Sequence, residues 1–256
     1  MALESLPLGL LVWVVCAVVL AGFIQGAIGF GFPFVATPLI AMTSDMRTAV
    51  IMVVLPTLVL NFVNLASSGP LLPALRRFWM MPLYAIIGAF AGTWLFVTVP
   101  DVPYALLLAL ITLGYLNLDR FTGGQWPVVL RHERAFGVLA GGTAGVFEGT
   151  VNVAGPPLII YYLALGLVPS MLVQSLNICF VVGKLVQFSV LTARGGVTAT
   201  EWLATLPLVL IGVTAFFAGL RIRNRIDAVT FRTWVKRALF VIALVLLGQY
   251  GYSLLV

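Results

Sequence analysis

Glu148 and Lys184 are the charged side chains that fall inside long apolar runs of this 256-residue sequence. A charge near the centre of a bilayer costs at least about 2.5–3.5 kcal/mol on insertion scales, so such a residue faces a cavity or a partner. Two readings of Lys184 follow. In one it contacts a bound anion, with Asn177 seven residues earlier on the same helical stripe and Gln174 near it. In the other it snorkels, or is held in a buried ion pair by Glu148. Glu148 is correspondingly either that partner or a group that titrates during a transport cycle, because burial and a neighbouring lysine act on its charge in opposite senses.

The second feature with chemical content occurs twice. Gly22-Phe-Ile-Gln25-Gly26-Ala-Ile-Gly29-Phe-Gly31-Phe-Pro33, running on to Pro38, is echoed by Gly141-Gly-Thr-Ala-Gly145-Val-Phe-Glu148-Gly149 through Asn152 to Gly155-Pro156-Pro157. Glycine and proline in this density break a helix. In lipid, broken backbone survives only where it is buried in protein or lines a polar cavity. Half-helices starting near Pro33 and Pro156 would aim free N–H groups and a positive dipole end into each break. Two such ends near the bilayer midplane make an anion site with few charged side chains. Gly29, Gly31, Gly149 and Gly155 would let backbone approach the ligand, or else only permit tight helix crossing. Gln25 and Asn152 would offer neutral donors. Asn61 and Asn64, on the first-half counterpart of the Lys184 helix, complete the candidate binding set.

The elements that must position these residues are membrane helices. The chain is 62% hydrophobic and 9% charged, against about 25% charged residues in a soluble domain. Ten apolar segments are expected, at 6–28, 33–43, 48–66, 80–99, 103–118, 135–147, 156–167, 170–192, 203–220 and 234–255. Leu6–Ile24 follows Glu4 without a basic leader, so it is expected to be a retained helix. The net charge of +6 lies on scattered loop residues without aromatic interleaving, so nucleic acid is not an expected partner. Arg76, Arg77, Arg120, Arg131, Arg134, Arg221, Arg223, Arg225, Arg232, Lys236 and Arg237 fall in three loops. Placing all three in the cytoplasm leaves only Arg47 and Arg194 outside and puts both termini outside.

The join at 123–134 then follows an odd number of crossings. The second half enters from the opposite side to the first, which is the inverted-repeat plan of many transporters. The expected fold is an all-α polytopic membrane protein with two inverted-topology repeats of about five helical segments each, 1–122 and 135–256, and the interrupted helices at its centre. Gly88 and Gly92, four apart, read as a helix-packing face. Such small-residue faces allow a homodimer without requiring one. Neither Cys16 nor Cys179 has the spacing of a metal site or a disulfide framework. No cofactor is implied: neither glycine run ends in the GK[ST] of a nucleotide loop.

At these residues the chain resembles the TauE/SafE family of sulfite and organosulfonate exporters. The likeness rests on Gly26-Ala-Ile-Gly29-Phe-Gly31 leading to Pro38, and on Gly141, Gly145 and Gly149 leading to Gly155-Pro156-Pro157-Leu158 and Tyr161-Tyr162-Leu163. It covers nearly the whole chain in layout. The chain departs from the family's more glycine-rich run at Phe30 and Phe32, and has Glu148 where a small residue is expected. The resemblance implies a bacterial inner-membrane permease that exports a small sulfur-containing or carboxylate anion. The expected function is therefore a secondary transporter holding its anion near the midplane between the two repeats, with a proton as candidate coupling ion. The alternatives from other classes are an anion channel, whose half-helix dipoles would serve equally, and a non-transporting membrane assembly subunit. An enzyme is not expected, since there is no HExxH, no membrane histidine and no pair of membrane carboxylates.

Overall fold

In the computed structural model the described residues are 7–67, 71–116, 125–223, 240, 243–248 and 250–251. The expected crossing at 234–255 lies largely outside them. So do both extreme termini, residues 119–124 of the polar connection, and Arg120, Arg225, Arg232, Lys236 and Arg237. Among the described residues the regular elements are all helical: α1 (Leu8–Ile28), α2 (Phe32–Ala41), α3 (Met46–Ser67), α4 (Leu71–Phe78), α5 (Met80–Thr98), α6 (Tyr104–Leu116), α7 (Pro127–Arg131), α8 (Glu133–Val151), α9 (Gly155–Ala164), α10 (Pro169–Ala193), α11 (Ala199–Ala204) and α12 (Leu206–Ile222).

Among the described residues five stretches are long and apolar enough to cross a membrane: α1, α3, α5, α10 and the run from α11 through α12. By contrast α2 and α9 have ten residues each. At 1.5 Å per residue they cover about 15 Å, half of a hydrocarbon core of about 30 Å. Local chemistry accounts for several helix starts. Asp45 accepts from the Thr48 N–H at 2.9 Å and the Thr48 hydroxyl at 2.6 Å, capping α3. Thr198 and Glu201 form a reciprocal capping box at α11. Prolines stand in the first turn of α2, α9, α10 and α12, where the missing N–H is not needed.

The structure narrows both interruptions. Gly22 and Gly26 are helical in α1, and Gly141, Gly145 and Gly149 are helical in α8; the breaks are only residues 29–31 and 152–154. The expected segment 135–147 accordingly extends to Val151. Glycine is about 1 kcal/mol worse than alanine in a helix, and here close packing overrides that preference. The stretch around Arg76 and Arg77, expected as a loop, forms α4. Its leucines (Leu71, Leu72, Leu75) are exposed while Ala74 and Phe78 are buried. The expected segment 203–220 is divided at Thr205, ahead of Pro207, and begins earlier as α11.

The chain forms two compact units. One draws on Met1–Leu60, Pro103–Leu116 and Val197–Val256; the other draws on Asn61–Val102 and Asn117–Gly196. In the first unit α1 crosses α12. A Cβ on Gly26 would run into the Phe216 carbonyl, and one on Gly219 into the Phe23 carbonyl. In the second unit α8 crosses α5 in the same manner. A Cβ on Gly145 would strike the Ala85 carbonyl, one on Gly149 the Thr93 amide nitrogen, and one on Gly92 the Val146 carbonyl. Lipid tails do not drive such helices together, so backbone approach through small residues supplies the van der Waals contact that does.

A shift of 123 positions carries α2 (32–41) onto α9 (155–164), the end of α1 at Ile28 onto the end of α8 at Val151, and the start of α3 at Met46 onto the start of α10 at Pro169. Over these elements the two halves share one register.

Candidate functional site

Each break is three residues long and opens with a left-handed residue. Gly29 has φ 95° after α1, and Asn152 has φ 70° after α8. Asparagine is among the few non-glycine residues that tolerate this conformation. In the first break Gly31 is also left-handed, at φ 116°, and α2 begins immediately after it.

In the first unit the Gln25 side chain is fully buried and turns back across its break. Its Oε1 accepts from the Phe32 N–H at 2.9 Å, satisfying the first amide of α2. Gln25 therefore acts at this amide as an acceptor, where a donor was expected.

The second unit puts a charge in the same place. Glu148 precedes Asn152 by four residues, as Gln25 precedes Gly29. Its carboxylate takes the backbone N–H of Ala154, at the N-terminus of α9. Lys184 of α10 meets Oε1 of this carboxylate at 2.5 Å. The pair is inaccessible to solvent, with 0% exposure for Lys184 and 2% for Glu148. Of the two readings of Lys184, the geometry is that of the buried ion pair.

The remaining protons of Lys184 are also taken. Its ammonium donates to Asn152 Oδ1 and to Gln187 Oε1 at 2.8 Å. An ammonium has three donors, and Glu148, Asn152 and Gln187 match them. Gln187 then uses its Nε2 on the carbonyls of Glu148 at 2.9 Å and Gly149 at 3.4 Å, in the last turn of α8, where the Glu148 carbonyl also accepts from the Asn152 N–H at 3.1 Å. Asn152 serves Lys184 as an acceptor through its Oδ1.

Gln187 was absent from the expected set. The signal for it was its position three residues after Lys184, on the same helix face. The 123-position shift gives the same answer: it relates Gln25 to Glu148, Gly29 to Asn152, Asn61 to Lys184 and Asn64 to Gln187. The first half carries Gln, Gly, Asn, Asn where the second carries Glu, Asn, Lys, Gln.

Other expected residues are placed differently. Asn61, Asn64 and Asn177 are buried. Asn177 donates its side-chain amide to Val173 O at 2.8 Å, on its own helix, and Gln174 donates to Leu65 O at 3.3 Å. Gly149 turns its Cβ-less face to α5, so its small size serves the helix crossing. Gly155 is the buried first residue of α9, ahead of Pro156.

Chemically, the second break is a buried site in which a half-helix N-terminus and an ammonium converge on one anion, and that anion is supplied by the chain itself.

No curated protein and no solved structure gave a match. Residues 14–248 match the family model described as Sulfite exporter TauE/SafE, in accord with the resemblance seen in the two glycine–proline stretches. The chain belongs to the sulfite exporter TauE/SafE family, and it is a multi-pass membrane transporter.

Proposed function

We propose that the chain is a secondary transporter that exports a small anion, such as sulfite, an organosulfonate or a short carboxylate, across a bacterial inner membrane. The observation that carries this reading is the buried Glu148 carboxylate seated on Lys184 and the N-terminus of α9. A backbone donor, a helix dipole and a cation in a water-excluded place constitute an anion site whatever fills it. Glu148 is then the resident occupant, and the substrate is its competitor.

A substrate oxyanion reaches Lys184 once Glu148 is neutralised, and protonation does this without moving the backbone. Lys184 keeps Asn152 and Gln187 as partners and presents its third N–H and its charge to the substrate. Loss of the proton restores the carboxylate, which displaces the substrate again. One proton accompanies each anion in this cycle. A monovalent anion would move without net charge. A divalent one would carry one net negative charge out, which the inside-negative potential favours by about 2.3 kcal/mol per charge per 100 mV.

The orientation of the two halves is part of the proposal. The loop charges support inverted repeats with external termini, and the 123-position register supports two copies of one unit. Substrate identity is tested by thermal-shift measurement of the purified protein against sulfite, methanesulfonate, taurine, thiosulfate and short carboxylates. At least one of these should stabilise the wild type and drive counterflow in proteoliposomes, and Lys184→Ala should abolish both effects. Counterflow retained by a folded Lys184→Ala protein would remove the lysine from the mechanism.

A further inference from the structure

The second unit holds a second cationic feature, remote in character from the dry ion pair. An open cavity of about 650 Å³ lies where the C-terminal end of α4 meets the junction of α7 and α8. Arg77, Arg131, His132 and Arg134 stand around it, with Tyr84 and Tyr161 also on its wall. Glu133 is the one carboxylate on this wall among the described residues. Arg77 lies over the Phe78 ring at 5.2 Å. Among the described residues neither Arg131 nor Arg134 has an ion-pair partner. Three guanidinium groups around one cavity, with a single acid among them, are an unneutralised site for an anion of the cavity's size.

The surroundings specify what kind of anion. The cavity sits at the first turn of α5, a helix long and apolar enough to span, so it lies at the edge of the hydrocarbon layer. Trp79, on its wall, is 57% exposed, the placement of an interfacial aromatic anchor. One to two turns further along, Leu83 and Ile87 on α5, and Val138 and Leu139 on α8, are exposed apolar side chains. On the proposed topology the basic loops put this face in the cytoplasmic leaflet, which carries the anionic lipids. We propose that the cavity binds the phosphodiester headgroup of an anionic phospholipid, with Arg77, Arg131 and Arg134 on the phosphate and the acyl chains along the exposed faces of α5 and α8. The assignment does not depend on what the Glu148–Lys184 site transports.

The test is stabilisation of the detergent-purified full chain by phosphatidylglycerol, compared with phosphatidylcholine of identical acyl chains. Phosphatidylglycerol should raise the melting temperature more. Arg77→Ala/Arg131→Ala/Arg134→Ala should weaken its apparent affinity by at least about tenfold, as loss of several charge-assisted contacts does. Equal stabilisation by the two lipids, or an undiminished preference in the triple variant, would overturn the assignment. Glycerol 3-phosphate and methanesulfonate form the soluble-anion arm. If either reproduces the phosphatidylglycerol effect at equal concentration, the cavity is a vestibule for small anions and not a lipid site. Should the triple variant not fold, the lipid retained by the wild-type protein decides. Enrichment of anionic over zwitterionic phospholipid relative to the source membrane supports the proposal, and its absence refutes it.

Discussion

The ammonium of Lys184 has three protons and three acceptors, two neutral and one charged. Removing one member of a buried ion pair leaves the other unpaired in a dry place, which costs about 3–5 kcal/mol, whereas replacing both partners is often close to neutral. Lys184→Met should therefore lower stability by about 3–5 kcal/mol in reversible unfolding, and Glu148→Gln/Lys184→Asn should recover most of it. The double substitution copies the first half, where Gln25 and Asn61 occupy the corresponding positions. A double variant as unstable as Lys184→Met would show that the second break depends on its charges in a way the first does not. Both charges were legible in the sequence because charge inside an apolar run is conspicuous. Gln187 was not, since an uncharged amide near a helix end carries no such contrast. Its spacing from Lys184 puts it on the same helix face, and the register between the halves, read from the helix boundaries, pairs it with Asn64.

The glycines of α8 and α5 belong to the helix scale. Gly145 and Gly149 set backbone against backbone, so Gly145→Leu should force α8 and α5 apart. The readout is a large fall in melting temperature, with Gly142→Ala as the control: a Cβ there meets nothing within 4 Å. Equal tolerance of the two substitutions would contradict the crossing. In sequence these glycines and the true break residues look alike, because both are glycine in an apolar run. Only the partner helix distinguishes a glycine that permits contact from one that turns the chain. Helix α4 escaped for a related reason, being too short and too basic to resemble a span. At the start of α3, partial burial raises the Asp45 carboxyl, but hydrogen bonds from Thr48 and from the backbone of Asp45 and Arg47 together outweigh it and hold the carboxyl below its ordinary value of 3.8. The stability this cap contributes is present above pH 3.8 and lost as the pH falls through the lowered folded value. Asp45→Ala should cost about 1 kcal/mol at neutral pH and nothing additional at the acid end of that window. A pH-independent difference between the two proteins would contradict the cap.

On the scale of the whole molecule, the halves seen in sequence are not the compact units seen in space. Each unit pairs the broken helix of one half with a glycine-bearing long helix of the other, α1 with α12 and α8 with α5. Hydropathy reports spans and register but carries no information on which spans meet. The proposed inverted arrangement makes its own prediction: cysteines replacing Arg76, Arg131 and Arg221 should be labelled from the cytoplasmic face only, and one replacing Arg194 from the opposite face only. Labelling of Arg131→Cys and Arg194→Cys from one side would break the plan. Transport by the proposed route requires one substitution of anions, substrate for Glu148 carboxylate, on Lys184 and the α9 terminus. The most direct measurement is the affinity for an organosulfonate that stays ionised at every pH used, followed from acid to alkaline conditions. Wild-type affinity should weaken as the pH rises and the carboxylate reclaims Lys184, Glu148→Gln should bind without pH dependence, and Lys184→Ala should not bind. The same pH dependence in wild type and Glu148→Gln, or wild-type binding by Lys184→Ala, would contradict it.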